Sequence, residues 1–189
     1  REGKSVTTIE VRLWQNDAVQ SILIASFGSQ RESKINVPLG VQPVEFPPVD
    51  QLNIVPKYLP FPECVKNFQL AWTDGHYPMS GSKQPDFSGW CRFDPEIHAN
   101  RAMNVSDIMT LMDVWPPGVL PMFKLPAPAS TLTWQVTFIH PLQNQLNDWF
   151  KYKVITDFAE HGYATEHAYL WDEQNRLIAI ARQTVTVFT

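Results

Sequence analysis

The sequence predicts an α+β fold, an antiparallel sheet wrapped around one central helix, with a first sheet unit that is incomplete at its N-terminal side. Three observations predict it. Most segments with patterned apolar residues alternate at period two, as strands with one buried face do. A single stretch, Ser106 to Trp115, instead puts Ile108, Met109, Leu111, Met112 and Trp115 at helical spacing. Finally, a strand–turn–strand unit recurs. Thr8-x4-Leu13-Trp14 returns 157 residues later as Thr165-x4-Leu170-Trp171, each copy followed by a polar turn and a β-rich strand. A helix and two more strands precede the later copy and nothing precedes the earlier one, so Arg1 is expected to lie inside a unit whose opening elements come before it.

The elements follow in order. Residues 5–14 alternate Thr7, Ile9, Val11 and Leu13 against Thr8, Glu10, Arg12 and Trp14; Gln15-Asn16-Asp17 is a turn, and Ala18 to Phe27 is the return strand. Residues 1–28 are thus read as the closing hairpin of a first unit, expected to join the main sheet or one continuous with it. Residues 29–65 hold Pro38, Pro43, Pro47, Pro48, Pro56, Pro60 and Pro62. Proline removes amide donors and holds its neighbours extended, so this stretch is read as a linker. Residues 66–189 are expected to form a second, complete unit. In it Asn104 or Ser106 caps the helix and Pro116-Pro117 stops it. Strands are expected over 131–139, 149–158, 164–171 and 177–188, the last two joined by the turn Asp172-Glu173-Gln174-Asn175.

Composition narrows the function classes. The chain has 189 residues, 44% hydrophobic and 12% aromatic, enough to bury a core. Charged residues are 18% and the net charge is −4, which gives nucleic-acid binding no electrostatic support. No apolar run approaches the ~18 residues of a membrane span. Cys64 and Cys91, alone and 27 positions apart, fit reduced thiols in a cytoplasmic setting better than a disulfide framework or a zinc site. There is no phosphate-binding glycine loop and no GxSxG elbow. His167-Ala-Tyr-Leu-Trp-Asp172 spells HxxxxD, but strand alternation puts its ends on opposite faces. His76, His98, His140 and His161 lack metal-ligand spacing, and neither a metal nor a cofactor is expected.

What remains is polar residues on apolar elements. Asp113 stands on the helix between Leu111-Met112 and Val114-Trp115, Gln183 stands in the run Leu177-Ile-Ala-Ile-Ala-Arg-Gln183, and Thr131 opens a strand after a proline-containing loop. A buried amide needs partners, and a carboxylate is one it can donate to. Composition alone does not bring the three together.

The segments Asp107-x5-Asp113-Val-Trp-Pro-Pro, Leu177 to Gln183, and the opening Arg1-Glu-Gly-Lys-Ser-Val-Thr-Thr, in this order with the helix and strands, resemble the bacterial acyl-CoA thioesterase II family of double-hotdog proteins. The resemblance implies a double hotdog whose first hotdog is incomplete here. It implies hydrolysis of acyl-CoA by a water held between an Asp, a Thr or Ser and a Gln of the second hotdog. The Asp before the Pro-Pro kink falls on Asp113, the Thr upstream of the strand end His140-Pro141 on Thr131, and the Gln of the last strand on Gln183. Asp107 competes for the first role, although its place just after the cap suits a helix-start contact. No Gln occupies the matching place near Ala25-Ser26, so one site, in the second half, is expected.

With that substrate, Met109, Met112, Trp115, Phe123 and Trp134 are candidate walls for the acyl chain, and equally candidate core. Arg101, Lys124, Lys151, Lys153 and Arg182 are candidate contacts for the coenzyme A phosphates. A homo-oligomer, most simply a dimer, is expected. Two other readings stand beside the hydrolase. One is a non-catalytic acyl-CoA-binding or structural relative. The other is an acyl-thioester hydratase, which would want a His near the helix that this helix lacks.

Overall fold

The computed structural model describes residues 3–188. They fall into two compact units, one up to Val41 and one from Gln42 onward.

The first unit is a hairpin of β1 (Val6–Gln15) and β2 (Ala18–Gly28). Asn16 and Asp17 form its two-residue turn with φ of 51° and 58°, both left-handed. Asn and Asp tolerate that conformation, and two such residues give the turn twist that antiparallel strands require. The hairpin is a two-stranded sheet of its own, so the expected continuation into the main sheet is absent among the described residues. The reason is local: residues 29–41 carry no ladder, so nothing sets a register between β2 and any later strand. Ile9, Val11, Leu13, Ile22 and Ile24 are exposed on it.

The second unit is a six-stranded antiparallel sheet in the order β3-β4-β6-β7-β8-β5. The strands are β3 (Phe68–Gly75), β4 (Phe87–Phe93), β5 (Ala129–Phe138), β6 (Phe150–Glu160), β7 (Tyr163–Asp172) and β8 (Leu177–Val187). The one α-helix among the described residues, α1 (Val105–Asp113), lies on one face and buries Ile108, Leu111 and Met112. Phe150, Tyr152 and Val154 of β6 belong to the same core, with Ala168 and Leu170 of β7 and Ala179 and Ala181 of β8. Asn104 caps the helix: its side chain accepts from Asp107 N while Asp107 accepts from Asn104 N, a closed capping box.

The helix ends fix its direction along the sheet. At its start, Met103 N donates to Asn144 O and Leu146 N to Arg101 O, tying it to the chain just before β6. Past its end, Trp115 stacks on Tyr152 at 4.9 Å and Gly118 N donates to Glu166 of β7. The loop that follows the helix therefore reaches, at Gly118, the part of the sheet that holds Thr156 and Glu166.

The proline-rich stretch is partly structural cover. Val55 N donates to Leu70 O, Trp90 Nε1 donates to Pro47 O, and Phe61 stacks on Trp72. Phe46, Val49 and Leu52 pack on Ala71, Trp90 and Trp149, on the face of the sheet away from the helix. This buries β4 on both faces, so the run Phe-Ser-Gly-Trp-Cys-Arg-Phe shows no alternation that reveals it as a strand.

Candidate active site

On the helix-facing side, four residues form a row across the sheet. Thr156 of β6 pairs with Glu166 of β7, Glu166 with Gln183 of β8, and Gln183 with Trp134 of β5. Residues directly opposite in a ladder share a face, so the four side chains point the same way. Thr131 joins them through a bulge. The register slips between Thr131 and Thr133, so Thr131 opposes Val185 and Trp134 opposes Gln183. A spacing of three would otherwise turn Thr131 and Trp134 to opposite faces; the extra residue, Leu132, turns them to the same one. Gln183 Nε2 then donates to Thr131 Oγ1 at 2.6 Å.

Asp113 is the last residue of the helix. It is solvent-exposed and makes no hydrogen bond or ion pair among the described residues, yet the surrounding protein raises its carboxyl above the ordinary value by partial desolvation. Burial raises the Tyr152 phenol, and the charges of Glu166 and Asp113 add to it, so both carboxylates bear on one ring. Asp113 and Glu166 thus both lie near the Tyr152 ring, and Asp113 makes no hydrogen bond to Gln183 or Thr131.

Asp107 is in a different situation. Arg101 donates to both its oxygens, at 2.7 and 2.8 Å, and Asn104 N donates at 2.8 Å. The Arg101 hydrogen bond lowers its carboxyl, against the desolvation that opposes it. Arg101, a candidate phosphate contact, is thereby held by this acid. Met112 and Trp115 are buried and already packed, while Trp134 is half-buried beside Gln183. Lys124 is exposed. Lys151 donates to Asn175 at 2.7 Å and lies over the Trp90 ring. On the opposite face, His167 Nδ1 lies 2.9 Å from Asp157 Oδ1 and Arg182 3.4 Å from its Oδ2, while Asp172 is buried against Arg176. His167 and Asp172 share no site. Cys91 is buried and its thiol is pushed up to about 12, so it holds no thiolate nucleophile.

Two residues of the row escaped the sequence reading. Glu166 is 3% exposed, accepts Gly118 N–H at 2.7 Å, and is pushed up to about 7 by burial, with Asp86 adding to the rise. Thr156 Oγ1 is buried without a partner. A signal existed: Glu166 stands in alternation with Ala164, Ala168 and Leu170 on one face of β7.

Glu166 carries a stability prediction. Its carboxyl binds a proton more tightly in the folded chain than at its ordinary 4.5, so the stabilisation is full below pH 4.5 and fades as pH rises to about 7. Wild type should lose up to ~3 kcal/mol across that window relative to Glu166→Gln, which has no proton to lose. Urea unfolding of both chains between pH 4.5 and 8 measures it; parallel stability curves would contradict the assignment.

The family model for the acyl-CoA thioesterase C-terminal domain matches residues 38–187. No curated protein matches. Among solved structures, a conserved protein of unknown function with a hot dog fold from Alicyclobacillus acidocaldarius superposes with a TM-score of 0.85 at 20% identity, covering 100% of this chain and 70% of that one. The acyl-CoA thioesterase II TesB2 of Mycobacterium marinum gives 0.66 at 16% identity, covering 99% and 70%. The tesB protein of Mycobacterium avium subspecies paratuberculosis gives 0.71 at 14%, covering 100% and 69%. At these identities the superpositions establish the hotdog fold, the antiparallel sheet around one helix described above. The family match, which spans most of the chain, supplies the rest: the chain belongs to the acyl-CoA thioesterase C-terminal domain family.

Proposed function

We propose that the chain hydrolyses acyl-CoA thioesters to a free fatty acid and coenzyme A, using a water held by Thr131 and Gln183 and activated by Asp113. The observation that carries this reading is the Gln183–Thr131 hydrogen bond, 2.6 Å long and made between residues 52 apart in sequence. It joins an amide and a hydroxyl, each able both to donate and to accept, on the helix-facing side of the sheet.

Water adds to the thioester carbonyl carbon as its proton passes to Asp113, and the tetrahedral intermediate then expels coenzyme A by breaking the C–S bond. A thiol of pKa near ~8.5 leaves as thiolate without a strong acid. General-base help is worth ~10²–10⁴-fold, and a base works better as its pKa approaches the working pH. The raised Asp113 suits that role better than Asp107, which Arg101 lowers. Backbone amides would meet the oxyanion. Gly118 N–H is already engaged by Glu166, so other amides serve. Trp134 offers half-buried apolar surface beside Gln183 for the acyl chain, with Trp115 and Met112 behind it as fixed wall. Lys124 is exposed and suited to the phosphates, whereas Arg182 faces the other side of the sheet beside Asp157.

The same reading makes the protein a homo-oligomeric cytoplasmic enzyme of fatty acid metabolism. Its free cysteines and the exposed apolar side chains of the β1–β2 hairpin support the setting and the assembly. Thiol release from acyl-CoA, followed with a thiol reagent, tests the activity. Gln183→Ala and Thr131→Val should each lower it by about tenfold, the value of one positioning hydrogen bond of ~1.4 kcal/mol. Acyl-CoA binding without thiol release would make the chain a binding protein instead.

A further inference from the structure

The two ends of the Gln183 amide meet different surroundings. Nε2 donates to Thr131 Oγ1 at 2.6 Å on the β5 side. On the other side its direct neighbour across the β7–β8 ladder is Glu166. One Glu166 oxygen, Oε2, accepts Gly118 N–H at 2.7 Å, and no other group of the described residues bonds the carboxyl. Opposite it again, on β6, stands the buried Thr156 hydroxyl without a partner. A free hydroxyl, a half-free carboxyl and an amide with a free carbonyl therefore follow one another in a wall otherwise built of Val154, Ala168, Ala181 and Val185.

We propose that Glu166 is a positioning residue of the hydrolytic site: as the acid it fixes the Gln183 amide with Nε2 toward Thr131, and as the carboxylate it draws Nε2 to itself and opens that bond. The inference rests on the thioesterase reading for its kinetic part only. The physical reason is an asymmetry of hydrogen-bonding capacity. A carboxylate only accepts, so it competes with Thr131 for the amide donor, and a charge-assisted bond outcompetes a neutral one. A carboxylic acid has one O–H to give; donated to Gln183 Oε1, it leaves Nε2 for Thr131. Side chains directly opposite in a ladder start ~5 Å apart at Cβ, within reach of a Glu and a Gln.

The surroundings keep both forms within reach. Asp86, from the turn before β4, adds negative charge, and Tyr152 on β6 and Asp113 at the helix end also bear on this region without supplying a cation. Arg182 and His167 on the flanking strands point to the opposite face, where Asp157 takes both. Glu166 is therefore pushed up to about 7, and its two forms exchange in the range where the enzyme would work.

The test follows the Gln183 side-chain amide by NMR from pH 5.5 to 8.5 in wild type and in Glu166→Gln, alongside thiol release. The variant keeps an acceptor for Gly118 N–H and a donor for Gln183 Oε1 at every pH. In wild type the amide resonances should move with a one-proton midpoint near 7, and thiol release should decline about tenfold on the alkaline side as the Thr131 bond is lost. In Glu166→Gln the movement and the alkaline decline should both vanish. An amide that does not titrate in wild type overturns the proposal whether or not the variant folds. So does titration that persists in the variant, or a folded variant that is inactive at every pH while wild type releases thiol, since Glu166 would then be moving the proton itself. Titration that is abolished in the variant while neither chain releases thiol upholds the positioning role and removes the hydrolase reading instead.

Discussion

Asp113→Asn should lower thioester hydrolysis by ~10²-fold or more and leave acyl-CoA binding in place. The substitution keeps the side-chain shape and removes the proton acceptor. It breaks no hydrogen bond or ion pair of the described residues, so stability should change little. Asp107→Asn is the necessary companion. It weakens the two-pronged Arg101 pair and half of the capping box, which should cost about 1 kcal/mol of stability and spare turnover. Because burial raises the Asp113 carboxyl, activity should fall off on the acid side at a pH above the ordinary carboxylate range, as the base takes up its proton. Asp107→Asn abolishing turnover while Asp113→Asn spares it would move the base to the helix start. Loss of acyl-CoA binding in Asp113→Asn would make that residue a binding group and not a base.

The parts of this site that the sequence revealed are those governed by local chemistry. Helical spacing from Ile108 to Trp115, a capping Asn104 and the Pro116-Pro117 stop delimit α1 to within two residues of its observed bounds. Period-two alternation gives β5 to β8, and Asn16-Asp17 gives the turn of the first hairpin. What escaped depends on neighbours distant in sequence. β4 has no alternation because Phe46, Val49 and Leu52 cover its second face. The bulge at Leu132 turns Thr131 and Trp134 to one side, and nothing in Ser-Thr-Leu-Thr-Trp announces it. The 157-residue repeat marks two hairpins correctly, but likeness between hairpins carries no register, and β1–β2 pair only with each other. Glu166 alternates visibly with alanines and leucine, yet its burial follows only once Gly118, in the loop after the helix, lies over it.

Gly89→Ala should destabilise the protein by ~4 kcal/mol and take activity with it. Gly89 stands in the middle of β4, opposite Trp72 of β3 on one side and Tyr152 of β6 on the other. A Cβ there would lie 2.4 Å from Ala71 O and 2.6 Å from Trp115 Cη2. The first is backbone in a paired strand and cannot rotate aside, so β3 and β4 would have to separate locally. The second is the ring that lies 4.9 Å from Tyr152, with 7° between their planes. Overpacking a core commonly costs ~1–3 kcal/mol, and a clash with both a ladder carbonyl and a stacked indole belongs above that range. The functional consequence is separate from the stability. Trp115 is two residues beyond Asp113 and anchors the helix end on the sheet, so moving the ring moves the proposed base relative to Gln183 and Thr131. At a temperature where Gly89→Ala is still folded, thiol release should therefore be reduced well beyond the folded fraction, whereas Gly40→Ala, with no atom within 4 Å of the added methyl, should change neither stability nor rate. Equal stability of Gly89→Ala and wild type in urea would mean that β3 and Trp115 yield freely, and that the glycine is not what lets the helix end rest on the sheet.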